Sequence, residues 1–115
     1  MKRNILTLMA GALLLGMSSM SAMAAGKTIA VSWKTYQEER WKTDEAAIRA
    51  VVEAAGDKLV TTDAQLSAQK QAADIESLIS QKVDVIMVVA YDSDAILPSF
   101  KAASDAGVKM LSYDV

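Results

Sequence analysis

Val83-Asp84-Val85-Ile86-Met87-Val88-Val89, followed at once by Ala90-Tyr91-Asp92, decides the fold. A run of β-branched and aliphatic residues this short cannot span a membrane, and it reads as a strand covered on both faces by helices. That is the pattern of a parallel sheet in an α/β protein. Ligands of such sheets bind outside the carboxyl ends of the strands, so Tyr91 and Asp92 stand where a ligand would be.

Working outward, the same alternation repeats. Thr28-Ile29-Ala30-Val31-Ser32-Trp33 predicts a first strand, and Lys58-Leu59-Val60-Thr61-Thr62 a weaker one nearer the sheet edge. Val108-Lys109-Met110-Leu111-Ser112-Tyr113 predicts a fourth. Between the first two strands, Thr35 and Glu38 fit a capping box, and Trp41, Ile48, Val51, Val52 and Ala55 form one helical stripe that Gly56 stops. A second helix is expected over residues 67–81, with Ala68, Ala72, Ile75, Leu78 and Ile79 inward. A third opens at Ser93-Asp94, tolerates Pro98 near its first turn, packs through Ile96, Phe100 and Ala103, and ends at Gly107. Strand, helix, strand, helix, strand, helix, strand is the order of a doubly wound parallel sheet with helices on both faces. No closing helix covers Met110 and Leu111, so the lobe reads as partial.

The 115 residues allow one small domain, with 52% hydrophobic content. Part of that content belongs to a leader: Met1-Lys2-Arg3-Asn4 is basic, Ile5 to Met17 is apolar apart from Thr7 and glycines, and Ala22-Met23-Ala24 is a small-x-small cleavage site. We expect a secretory signal peptide over residues 1–24 and a partial lobe over 25–115. The apolar run is shorter than the ~20 residues of a membrane span. Without Lys2 and Arg3, ten basic side chains face 14 acidic ones, a net charge near −4. That balance disfavours nucleic acid and anionic membranes, which select basic surfaces. There is no cysteine and no histidine, which removes disulfides, the usual nucleophile pairs and the usual transition-metal ligands.

Each strand ends in a polar residue at the same edge: Lys34, Asp63, Tyr91-Asp92 and Asp114. Carboxylates that accept hydroxyl hydrogen bonds, with Trp33 and Trp41 nearby, suit a polyhydroxylated ligand. Asp63 and Asp92 equally fit turn formers ahead of the helices that follow them, and Trp41 on an apolar stripe equally fits the core. Dinucleotide and phosphate-loop fingerprints are absent after the first strand. The acidic pairs Glu38-Glu39 and Asp44-Glu45, interleaved with Arg40, Lys42 and Arg49, read as a solvated helix face.

Glu39-Arg40-Trp41, Gln71-x-x-Asp74-Ile75-Glu76-x-Leu78-Ile79, Val83-Asp84-Val85-Ile86, Ala106-Gly107-Val108-Lys109-Met110 and Ser112-Tyr113-Asp114 together resemble the periplasmic sugar-binding proteins of the ribose and xylose type. The resemblance runs through the whole chain after the leader. It implies two α/β lobes joined by a hinge, a monosaccharide such as a pentose enclosed between them, and delivery to the membrane permease of an ABC importer, with a chemoreceptor as a further partner. It implies no catalysis and no cofactor. By the same resemblance Arg40 bonds the sugar, Trp41 lines or stacks on it, Asp114 grips two adjacent hydroxyls, and Lys34 and Asp92 contribute from the rim. Two positions depart from the family pattern: Val115 stands where Arg is common, and Lys82 where Gly is usual.

Two other classes share parts of this reading. The effector domain of a transcription regulator has the same fold but needs a basic helix-turn-helix where this chain has a leader. A small secreted enzyme would use Asp63, Asp92 or Asp114 as acid and base, at a separation the sequence does not specify.

Overall fold

The computed structural model describes residues 26–114. The expected leader and Val115 lie outside the described residues. In chain order the elements are β1 (Thr28–Trp33), α1 (Glu39–Ala54), β2 (Lys58–Asp63), α2 (Ala68–Ser80), β3 (Val85–Val88), α3 (Leu97–Asp105) and β4 (Lys109–Ser112). All pairings are parallel and the order across the sheet is β2-β1-β3-β4. β1 and β3 form the centre, as the apolar run of β3 leads one to expect, and β2 takes the edge.

Side chains alternate across the sheet, so each strand feeds two cores. Ala30 of β1 and Ile86 and Val88 of β3 pack with Ile75 and Leu78 of α2 and Ala103 of α3. Val31 and Trp33 of β1, Leu59 of β2 and Val89 pack on the other face with Trp41 and Val52 of α1. Helices therefore lie on both faces. Leu111 of β4, on the α1 side of the sheet, is 54% exposed because α1 lies over the β1–β2 half, whereas Met110 packs against the α2–α3 core.

Glycines and polar caps set the boundaries. Gly56 (φ +80°) and Gly107 (φ +76°) end α1 and α3 in the left-handed region. Ser67 caps α2, its Oγ accepting from Lys70 N at 3.1 Å. After α2 the same left-handed position falls to Lys82, at φ +58°. Asp57 and Asp84 pin the entry to β1: Lys27 N donates to Asp57 Oδ1 and Thr28 N to Asp84 Oδ2, both at 2.8 Å.

Four expectations need correction. Thr35 and Glu38 form no capping box. Thr35 Oγ1 instead accepts from Gln37 N at 3.0 Å, an i to i+2 turn, and the helix starts only at Glu39. On α1 the inward residues are Trp41, Ile48 and Val52, while Val51 (71% exposed) and Ala55 face outward. On α2 the exposed Ala72 gives way to Gln71, which is 1% exposed. The third helix also starts later than expected, at Leu97, after a turn through residues 93–96. Among the described residues no helix is long and apolar enough to cross a membrane.

Candidate functional site

Because the strands are parallel, their carboxyl ends deliver Lys34, Asp63, Tyr91-Asp92 and Tyr113-Asp114 to one edge. α1 starts from that edge, so its first turn places Arg40 and Trp41 above it. Trp33, the last residue of β1, is fully buried and anchors an aromatic block. Its ring centroid lies 5.6 Å from Trp41, 6.1 Å from Tyr36 and 6.2 Å from Tyr113, the last edge-on at 79°. These are favourable aromatic separations.

Two cations lie over the Trp41 ring: the Arg40 guanidinium carbon at 4.4 Å and Lys34 Nζ at 5.3 Å from its centroid. Trp41 itself is only 2% exposed. Arg40 Nη2 pairs with Asp114 Oδ2, and Arg40 Nε lies 3.6 Å from Asp44 Oδ2. The Asp114 hydrogen bond, against a smaller effect of desolvation, raises the pKa of Arg40, so the guanidinium is a permanent cation. Asp114 takes a left-handed backbone (φ +56°), which Asp tolerates better than most residues. Donors from Arg40 and Lys34, acceptors from Asp114 and Asp44, and an aromatic floor are what a neutral polyhydroxylated ring requires.

Lys34 also borders a cleft of about 350 Å³ on the β3–β4 side, shared with Tyr91, Ser93, Leu97, Phe100 and Ser112. That volume is at the lower end of small-molecule sites, roughly 300–1,000 Å³.

Of the residues expected at the site, Lys34, Arg40, Trp41 and Asp114 come together. Asp92 stands at the same edge, but its Oδ1 accepts from Asp94 N (2.9 Å) and Ala95 N (2.8 Å), which makes it the former of the turn before α3. Asp63 does the same for its own loop, accepting from Gln65 N at 2.9 Å.

Several residues that shape this edge were not read as such from the sequence. The Tyr113 hydroxyl donates to Asp44 Oδ2 at 2.9 Å. Asp44 and Glu45 are therefore not a merely solvated face: Glu45 accepts from the Tyr36 hydroxyl and from Arg49. Burial and the bond to Glu45 push the Tyr36 phenol up to about 12. Another is Gln71. Its Nε2 donates to Val89 O (2.9 Å) and Ser32 Oγ (3.2 Å), and its Oε1 accepts from Tyr91 N (2.9 Å), tying the ends of β1 and β3 together beneath the Tyr91-Asp92 turn. The one sequence signal for Asp44 was its opposite charge four residues after Arg40. Among the described residues no group of acidic side chains is arranged to hold a metal ion.

Comparison with known proteins bears on this edge. A family model described as a periplasmic binding protein domain matches residues 29–115. The D-xylose-binding periplasmic protein of Escherichia coli (strain K12) is 29% identical over 112 residues, covering 97% of this chain and 33% of that protein. A solved ABC transporter periplasmic solute binding protein from Actinobacillus succinogenes 130z, with bound D-allose, superposes with a TM-score of 0.72 at 26% identity, covering 75% of this chain and 31% of that one. An ABC transporter solute binding protein from Clostridium phytofermentas, with bound L-rhamnose, gives a TM-score of 0.71 at 31% identity, covering 76% and 27%. The chain thus spans about a third of the length of the proteins it matches.

Proposed function

This chain belongs to the periplasmic binding protein domain family, and from that premise we propose that it supplies one wall of the sugar site of an ABC importer's binding component. The carrying observation is the pairing of Arg40 with Asp114 above the Trp41 ring at the carboxyl edge of the sheet. The ligand class is a monosaccharide, with a pentose such as D-xylose first, since the E. coli relative is named for xylose while solved neighbours hold D-allose and L-rhamnose. Arg40 donates to a ring or hydroxyl oxygen, Asp114 accepts from two adjacent hydroxyls, and Trp41 underlies the sugar once the two cations shift. Lys34 and Asp92 serve the rim. Residues 1–24 act as a secretion leader cleaved after Ala24, which places the protein in the periplasm, and residues 25–115 form part of an amino-terminal lobe. The partners are the importer's permease and a chemoreceptor.

Such a site works by differential contact. A sugar held by this wall stabilises the closed arrangement of two lobes, and closure is what a permease distinguishes from the open form. The described wall alone gives only part of the contact, so the chain by itself is expected to bind sugar weakly or not at all. NMR titration with D-xylose, D-allose and L-rhamnose tests this: any sugar-dependent shifts are expected at Arg40 Nε–H, the Trp41 indole and the Asp114 amide, and Asp114→Ala removes them. Equal shifts in Asp114→Ala, or shifts confined to residues away from this edge, would show the assignment to be wrong.

A further inference from the structure

We propose that Asp44 and Tyr113 are positioning residues for this site, forming a strut that holds Asp114, just beyond β4, against Arg40 on α1. The inference rests on the sugar-site reading and goes beyond it to what sets the spacing of the gripping pair.

The geometry is specific. Tyr113 directly precedes Asp114, and its hydroxyl donates to Asp44 Oδ2 at 2.9 Å across 69 residues of sequence. The same oxygen faces Arg40 Nε at 3.6 Å. One carboxylate therefore touches both the segment that carries Asp114 and the side chain that pairs with it. Tyr113 is fixed at two further points: its backbone N donates to Val88 O at 2.8 Å, and its ring stands edge-on to the buried Trp33. The Asp44 hydrogen bond raises the Tyr113 phenol pKa, as expected where the neutral hydroxyl is the donor.

The strut has a reason to exist. β4 has four residues and ends at Ser112, so Asp114 lies two residues beyond it. Backbone past the end of a short strand opens more readily than the strand itself. Asp114 could then sample many separations from Arg40, and a loosely placed donor and acceptor pair loses both affinity and selectivity among sugars that differ at one hydroxyl. Tying Tyr113 to the rigid α1 helix fixes that separation before the ligand arrives.

The test compares wild type, Tyr113→Phe and Tyr36→Phe. The last removes an equivalent hydroxyl-to-carboxylate bond on the same helix and aromatic block, made to Glu45, without touching Arg40 or Asp114. Two readouts are taken: hydrogen exchange of Arg40 Nε–H and the Asp114 amide without sugar, and affinity for D-xylose, D-allose and L-rhamnose. In Tyr113→Phe, exchange at both groups is expected to speed about tenfold, and affinity for the preferred sugar to fall about tenfold, the scale of one hydrogen bond to a charged group. Tyr36→Phe stays within about twofold on both. Exchange in Tyr113→Phe matching wild type, or equal effects in the two variants, overturns the proposal. If wild type binds none of the sugars, the exchange readout alone decides the strut. Should Tyr113→Phe not fold, Asp44→Ala takes its place: it removes the acceptor of the Tyr113 hydroxyl, so faster exchange of the Asp114 amide supports the strut and unchanged exchange there refutes it.

Discussion

Replacing Gln71 by leucine tests whether the two central strands are held at their carboxyl ends by a single buried side chain. Gln71 is 1% exposed and serves three groups: it donates to Val89 O and Ser32 Oγ and accepts from Tyr91 N. Leucine has similar bulk but no polar atoms, so it strands the Tyr91 N–H and the Val89 carbonyl. An unsatisfied buried group costs about 1–3 kcal/mol. Two such groups, less what the extra apolar burial returns, give a loss of about 2–4 kcal/mol. A unit of this size has a total stability on the order of 4–13 kcal/mol, so Gln71→Leu removes a large share of it. Urea unfolding followed by the fluorescence of the buried Trp33 and Trp41 measures the loss, and hydrogen exchange at Tyr91 N–H localises it. Gln71→Glu supplies the sign control. A buried carboxyl is raised above its unfolded pKa, so as a neutral acid it can donate to Val89 O and accept from Tyr91 N. Its stabilisation is present below the unfolded pKa of about 4.3 and is lost as pH rises through the raised folded value. A Gln71→Leu loss under about 1 kcal/mol, with Tyr91 N–H as protected as in wild type, would refute the reasoning.

Three other outcomes are expected. Lys82→Gly should stabilise the protein by about 0.5–1 kcal/mol, because the left-handed φ of +58° is strained for lysine and free for glycine; a thermal melt should rise by about 2–8 °C, and a fall in Tm would contradict the assignment of strain. Spectrophotometric titration should show one phenol ionising near pH 12, which Tyr36→Phe deletes. Since the folded pKa lies above the unfolded value of about 10, the associated stability is present below pH 10 and lost as pH rises toward 12; a titration complete by pH 11 would rule this out. Asp84→Ala should cost about 0.5–1.5 kcal/mol by freeing Thr28 N at the start of β1, visible as faster exchange of the Thr28 amide before global unfolding.

The fold was largely legible because its signals are local and periodic. The run 83–89 read as a strand covered on both faces, and β3 is an inner strand of the sheet beside β1. Gly56 and Gly107 read as helix stops and take positive φ. The misreadings came where one local pattern fits two structures. Thr35…Glu38 has capping-box spacing, but Thr35 is buried (3% exposed) and satisfies Gln37 N within a turn, leaving the helix to begin later. Val51 and Val52 both look inward by composition. Only Val52 is, because α1 lies over the β1–β2 half of the sheet and offers a narrow contact. Gln71 was invisible as a core residue, since a buried amide is defined by partners 18 to 39 residues away that no periodicity announces.

The same distinction separates scaffold from site along the sheet edge. Asp63 and Asp92 bond backbone N–H groups two or three residues onward; such bonds shape a loop and would be made whatever the loop was for. Arg40 and Asp114 meet across 74 residues, with side chains 53% and 29% exposed. An ion pair that open contributes about 0–1 kcal/mol to stability and must first order two side chains. Folding has little to gain from it. Yet the chain invests in its placement: a buried Trp33–Trp41 block beneath, two cations over Trp41, and Tyr113 tied back to Asp44. An arrangement that is costly to order, weakly stabilising and held by its own supports is what the proposed sugar site predicts, since a guanidinium and a carboxylate side by side above an aromatic ring match the donors, acceptors and apolar face of a sugar.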